Sequence, residues 1–303
     1  MRDADMPSTL LSPELLRRLE QLQLLAARRA RSSLRGERRS RARGQSVEFA
    51  DHRNYVFGDD LRYLDWSLYG RLDRLFLKLY EEERELPVRL FLDASESMTF
   101  GEPAKFDFAR QVAAAMGYVA LCGFDRVSVL TVPDREENDL VRRGLRLVRG
   151  RKSAFAFFRH LEALTAGGPA DFNAALHRGA IEARQTGLAV VLSDFLDPAG
   201  YEHGLGALVG RGFQVTAVQI LAPDELEPKT YGDLRLVDSE SGAEQEVTFG
   251  RYRLAAYRQT VQNYIQRLRE FCRHRGINFF LANSATPLEE LLLKQLRTAE
   301  IWA

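Results

Sequence analysis

Short apolar runs alternate with stretches of helical periodicity from Val88 to the C-terminus, and no other feature constrains the fold as tightly. Val88-Arg-Leu-Phe-Leu92, Arg126-Val-Ser-Val-Leu-Thr-Val132, Leu188-Ala-Val-Val-Leu192, Phe213 to Leu221 and Ile277-Asn-Phe-Phe-Leu281 read as strands. Asp139 to Val148 alternates weakly, as a further strand would. Between them, Phe108, Val112, Met116 and Val119 mark one face of a helix from about Lys105 to Leu121. Ala154 to Leu164, Phe172 to Ile181 and Tyr201 to Val209 repeat that pattern. Strands alternating with helices predict an α/β fold with a Rossmann-like, doubly wound, mainly parallel sheet, in which ligands meet the loops leaving the carboxyl ends of the strands. Residues 224–250 interrupt the alternation. Leu234 to Val237 and Glu246 to Phe249 flank Ser239-Glu-Ser-Gly242, the pattern of an inserted β-hairpin. A long helix carrying Leu254, Tyr257, Val261, Tyr264, Leu268 and Phe271 follows, and Pro287 to Thr298 reads as a last helix.

Residues 9–30 carry Leu11, Leu15, Leu19 and Leu22 at helical spacing, with Pro13 where a first turn tolerates it. Arg28 to Arg43 holds eight arginines and one acid. That arm is either a contact for an anionic partner or a solvated segment that aids solubility. Residues 45–87 show little clean periodicity; Gly58-Asp-Asp60 marks a turn and Leu75 to Tyr80 a strand. The expected division is residues 1–87 as an N-terminal helix, arm and irregular extension, and 88–303 as the α/β domain.

Composition excludes several classes. Net charge is +1, which gives no global drive toward nucleic acid or anionic membranes. The two cysteines, Cys122 and Cys272, lie in apolar helical patterns, which fits a reducing compartment and not a disulfide framework. The longest apolar runs are about five residues, whereas a membrane-spanning helix needs roughly 20. A cytoplasmic protein without a membrane span is expected.

The chemistry gathers at two strand ends. Asp93-Ala-Ser95-Glu-Ser97 follows the first buried strand, and Leu192-Ser193-Asp194-Phe195 ends another. Asp93, Ser95, Ser97 and Asp194 are hard oxygen donors suited to Mg²⁺ or Mn²⁺. Alternatively, such residues serve only as helix caps or turn formers. Haloacid dehalogenase phosphatases need a second aspartate where Ser95 stands, and Ser95 and Ser97 lack the Gly-x-Ser-x-Gly frame of serine hydrolases. The five histidines fit no metal spacing, and no glycine-rich phosphate loop is present.

The Asp-x-Ser-x-Ser loop with a later Ser-Asp strand end resembles the metal-ion-dependent adhesion site of von Willebrand factor A domains. Upstream, Gly44 to Phe49, Arg53-x-Tyr55-x-x-Gly58-Asp-Asp-Leu-Arg62, Leu64-Asp65-Trp66, Arg71 and Glu81-Glu-Glu-Arg84 resemble the bacterial family called domain of unknown function 58. The resemblance covers about residue 38 to the C-terminus. It implies a von Willebrand factor A-like domain, no established enzymatic activity, and association with MoxR-family AAA+ ATPases in chaperone-like assembly, maturation or stress functions. It also implies a degenerate site: Pro169-Ala170 stand where a ligand threonine is expected, and Asp171 is a further candidate donor or the cap of the next helix. Asp59, Asp60, Arg62, Asp65 and Arg71 form either a salt-bridged lock between extension and domain or a partner surface, with Tyr63, Trp66 and Tyr69 read as packing residues.

The resulting expectation is a non-catalytic adaptor that docks a partner's carboxylate or surface loop at the strand-end crevice, with Mg²⁺ or Mn²⁺ bound weakly there or not at all. The alternative is a metal-dependent phosphohydrolase using Asp93 and Asp194. A weaker third reading is nucleic-acid contact through the arginine-rich arm, which demands a steep salt dependence.

Overall fold

A computed structural model describes residues 10–22, 47–82, 86–132, 145–168, 171–228, 232–237 and 244–292. The arginine-rich arm, Gly44 to Ser46, Glu83, Arg84, residues 139–144, Pro169-Ala170, Ser239 to Gly242 and residues 293–298 lie outside them. The chain divides into two compact units, one of Met1–Ala26 with Leu86–Ala303 and one of Ala27–Glu85.

In the larger unit, helix α1 (Pro13–Leu19) starts on a Ser12 cap, whose Oγ accepts the Leu15 N–H, with Pro13 in the first turn where its missing N–H costs nothing. Helix α1 ends at Leu19, so a helix over 9–30 is not continuous; residues 23–30 of that expectation lie outside the described set.

The smaller unit carries strand β1 (Val47–Asn54) and strand β2 (Phe76–Glu82), paired antiparallel around helix α2 (Trp66–Leu72). A 3₁₀ turn, Leu61–Tyr63, precedes α2. The Asp60 side chain accepts the Arg62 N–H, and Asp65 caps α2 by accepting from Ser67 and Leu68, so two aspartates organise the irregular stretch. Each finds an ionic partner inside the same unit. Arg62 lies 2.7 Å from Asp60, Arg53 2.9 Å from Asp59, and His52 and Lys78 lie 2.9 Å and 3.5 Å from Asp65. Among the aromatic residues between them, the Trp66 and Tyr69 rings meet edge to face with centres 6.2 Å apart. Trp66 is 64 % exposed and Phe57 99 %, and Tyr63 and Tyr69 are exposed as well.

The rest of the larger unit is built on a six-stranded sheet. Its strands are β3 (Pro87–Asp93), β4 (Arg126–Val132), β5 (Leu145–Arg149), β6 (Leu188–Ser193), β7 (Gln214–Leu221) and β10 (Asn278–Asn283), in the spatial order β10-β7-β6-β3-β4-β5. All neighbours run parallel except β4 and β5. From β3 the chain steps outward to β4; from β6 it steps the other way to β7 and on to β10. The switch point therefore falls between β3 and β6. Leu92 pairs with Leu192, which brings the next residues, Asp93 and Ser193, level at the carboxyl edge.

Helix α3 (Lys105–Cys122) packs against β3 and β4 and is buried over most of its 18 residues, as an apolar helix enclosed on all sides must be. Its alanines, Ala113 to Ala115, allow close approach, and α1 and α4 (Ala154–Ala163) cover its other side. On the opposite sheet face, Phe91, Ala189, Val191, Val215 and Ala217 meet α5 (Phe172–Ile181), α6 (Glu202–Arg211) and α8 (Arg251–His274) through Phe172, Leu176, Leu205, Leu208, Leu268 and Cys272. Between β7 and α8 lie a short helix, α7 (Pro223–Leu226), and an antiparallel pair, β8 (Gly232–Val237) and β9 (Glu244–Phe249). After β10, Leu288–Glu290 forms a final helical turn, α9. No helix among the described residues is long and apolar enough to cross a membrane.

Candidate strand-end site

Four sequence-identified residues converge at the switch point. The chain leaves β3 through Asp93, whose Oδ1 accepts the Ser95 N–H at 3.0 Å, and a 3₁₀ turn, Glu96–Thr99, then carries Ser97. Ser95 Oγ lies 3.1 Å from Ser97 Oγ, and Ser97 Oγ donates to Asp194 Oδ2 at 2.8 Å across the β3–β6 gap. Ser193 donates to Asp93 Oδ2 while its own Oγ accepts the Phe195 N–H at 2.8 Å. Asp194 Oδ1 accepts the Leu196 N–H at 3.0 Å, and its backbone carbonyl accepts from the buried Gln219 side chain at 3.1 Å.

The glycine-containing loop is tied to the same place by its backbone. Gly167 N–H donates to the Ala94 carbonyl, Glu96 N–H donates to the Gly168 carbonyl, and Gly168 N–H donates to Glu96 Oε2 at 2.9 Å. Gly167 and Gly168 both have positive φ, 145° and 74°, which a side chain would oppose there. Glu96 thus holds a loop. Asp171 is exposed and caps α5, its Oδ1 accepting the Ala174 N–H at 2.9 Å; no described hydrogen bond joins it to the cluster. It serves as the helix cap.

The sequence reading missed the charges that close the site. Lys105, the first residue of α3, is fully buried, with Nζ 2.8 Å from Asp194 Oδ2 and 2.6 Å from Glu225 Oε1. Phe100 stacks under the ammonium, 5.9 Å from its ring centre. Glu225 belongs to α7, and its other oxygen accepts the Ala222 N–H at 2.7 Å. Burial pulls the Lys105 pKa down, but the Asp194 and Glu225 carboxylates outweigh it and hold the group above its ordinary value, fully charged. Burial, and then the neighbouring Asp194 charge, push the Asp93 carboxyl up to about 6. A lysine at a helix start ordinarily faces water. The available signal was its place directly before the apolar run of α3, at a helix end that repels cations.

These donors do not fit a divalent ion bound through Asp194. An Mg²⁺ ligand distance is about 2.1 Å. With Lys105 Nζ 2.8 Å from the same Asp194 oxygen, ion and ammonium would lie within about 5 Å of each other. At an effective dielectric near 20, charges of +2 and +1 at that separation repel by about 7 kcal/mol. Among the described residues, no cluster of three or more His, Cys, Asp or Glu side chains has a metal-holding arrangement.

Relatives share much of this chain. Uncharacterized proteins of Mycobacterium bovis and Mycobacterium tuberculosis are 29 % identical over 239 residues, covering 77 % of this chain and 74 % of theirs. A conserved hypothetical protein BatB of Bacteroides thetaiotaomicron overlays 71 % of this chain and 98 % of its own, with 12 % identity and a TM-score of 0.40. An aerotolerance-related membrane protein of Bacteroides fragilis overlays 70 % and 99 %, with 16 % identity and a TM-score of 0.39. The sequence profile of the family described as Protein of unknown function DUF58 matches residues 51–270, and the chain belongs to that family.

Proposed function

We propose that this protein is a non-catalytic interaction module of the von Willebrand factor A-like class, an adaptor for a MoxR-family AAA+ ATPase in the bacterial cytoplasm. The observation that carries the reading is a run of exposed large apolar side chains in the smaller unit, Val56, Phe57, Leu61, Tyr63, Trp66 and Leu72, within seventeen consecutive residues, 56–72. Protein contact sites draw on exposed large apolar side chains, and tryptophan and tyrosine are the side chains that carry binding energy at them. The ionic pairs Arg53–Asp59 and Arg62–Asp60 lie in the same part of the chain.

The A-type assignment has separate support. Asp93-x-Ser95-x-Ser97 and Ser193-Asp194 meet at the carboxyl edge of a parallel sheet at its switch point, and β8–β9 is read as a hairpin inserted into that domain. The phosphohydrolase alternative is disfavoured by the same geometry. Asp93 accepts from the Ser95 N–H and from the Ser193 hydroxyl, and Glu96 accepts from Gly168, so both carboxylates serve to hold loops together.

Capture of the purified full chain by a MoxR-family ATPase from the same host tests the reading. Phe57→Ser with Trp66→Ala is expected to weaken capture by roughly tenfold or more, the loss of two anchors, without moving the melting temperature. Capture unchanged in the double variant removes the proposed surface. Turnover of phosphoesters with Mg²⁺, abolished by Asp93→Ala, would replace the adaptor with an enzyme.

A further inference from the structure

Lys105 stands where electrostatics alone would forbid it. It opens an 18-residue helix, whose amino end carries a partial positive charge, and no side chain caps that end at Ala104. Its ammonium is buried, so water does not solvate it. What holds it is a pair of carboxylates from two other segments, Asp194 at the end of β6 and Glu225 in α7 after β7. Asp194 Oδ2 also accepts the Ser97 hydroxyl, and Ser97 lies beside Ser95. One ammonium therefore joins the loop after β3, the loop after β6, the segment after β7 and the start of α3.

We infer that the Lys105 ammonium is the resident cation of the strand-end site, holding Asp194, Glu225 and the Asp93–Ser97 loop together in the place a divalent ion would take, so that the site assembles without metal. The charge balance supports this. Removing the ammonium leaves the buried Asp194 and the half-buried Glu225 with no cation in hydrogen-bond contact, a pair of hard oxygen donors that would then accept a divalent ion. The inference stands on the geometry of the larger unit and is independent of any partner.

Mn²⁺ is the probe, applied to the full chain and followed by loss of the free-ion electron paramagnetic resonance signal and by thermal melting against EDTA. The wild type is expected to leave the Mn²⁺ signal and its own melting temperature unchanged. Lys105→Ala is expected to melt lower in EDTA, to recover in millimolar Mn²⁺, and to bind the ion roughly tenfold or more tightly than the wild type. Should the single variant fail to fold, Lys105→Ala with Glu225→Gln removes one charge of each sign, leaves Asp194 to receive the ion, and is expected to show a smaller gain over the wild type. A wild type stabilised by Mn²⁺ in a manner lost in Asp194→Asn overturns the inference, as does a Lys105 variant that takes up no more Mn²⁺ than the wild type.

Discussion

Asp93 couples the strand-end site to pH, and the direction follows from its raised pKa. The unfolded carboxyl titrates near 3.9, the folded one near 6. Below about pH 4 both states hold the proton and the group contributes nothing to the pH dependence. Between about 4 and 6 the folded state keeps a proton that the unfolded chain has released, so stability falls as pH rises through this window. Above 6 the penalty is constant. Asp93→Asn is expected to flatten this slope, measured as the difference between variant and wild-type urea unfolding at pH 4.5, 6 and 7.5. Parallel curves would show that the carboxylate is solvated and the buried geometry wrong. Asp65 works in the opposite sense and a separate range. The His52 hydrogen bond, with further help from the Leu68 N–H, Lys78 and the Ser67 N–H, holds its carboxyl down to about 2, so its contribution is present above pH 4 and is lost toward pH 2. Asp93, Ser95, Ser97 and Asp194 were legible as site residues because each lies at the end of an apolar strand, where sequence alone fixes both the element and its edge. Lys105 and Glu225 were not. Their partners lie 89 and 120 residues away in the chain, so the local signal at Lys105, a cation at a helix start before an apolar run, names no partner.

At the scale of elements, burial decided what could be read. Arg126–Val132 is a strand over the residues expected, and α3 begins at Lys105 as expected, because the largely buried faces of both elements carry a clear apolar pattern. Strand β1, Val47–Asn54, escaped the reading: it belongs to a two-stranded pair, and its sequence, VEFADHRN, shows no sustained apolar pattern. The stretch from Leu61 to Tyr69 was irregular in sequence for a different reason: it is a 3₁₀ turn and a short helix held by the caps Asp60 and Asp65, which leave no period to detect. Packing density inside the readable elements makes its own prediction. A Cβ built on Gly117 of α3 would lie 2.2 Å from Phe157 Cζ and 2.6 Å from its Cε1, both residues being buried. Gly117→Ala is expected to destabilise by about 1–3 kcal/mol, since the ring must leave its rotamer or the helix must shift. The melting temperature should fall by roughly 2–4 °C per kcal/mol. In a Phe157→Leu background the same substitution should cost less, a coupling that a double-mutant cycle reads directly. Additive losses would mean that the α3–α4 contact is looser than drawn.

For the whole molecule, the decisive connection is the return of the N-terminal segment to the large unit. A leucine stripe such as Leu11, Leu15 and Leu19 can pack in cis or against another copy. Leu11, Leu15 and Leu19 are buried in the larger unit. Glu20 accepts the Tyr118 hydroxyl of α3 at 2.8 Å and lies 2.6 Å from Arg151, and Arg18 reaches Glu289 at 3.1 Å. The chain thus departs after Ala26 to build the smaller unit and comes back at Leu86 to complete the fold it had begun. Two consequences separate this arrangement from assembly between copies. Leu19 is fully buried, so Leu19→Ala should cost about 2–5 kcal/mol through lost burial and the cavity it leaves. That loss should appear at every protein concentration, because the contact is intramolecular; a stripe seated on a second copy would instead give a melting temperature that rises with concentration. Sedimentation should also show the same mass for wild type and variant. A variant that shifts to a smaller species, with its stability loss fading as the protein is concentrated, would place α1 on a neighbouring copy and overturn the cis arrangement.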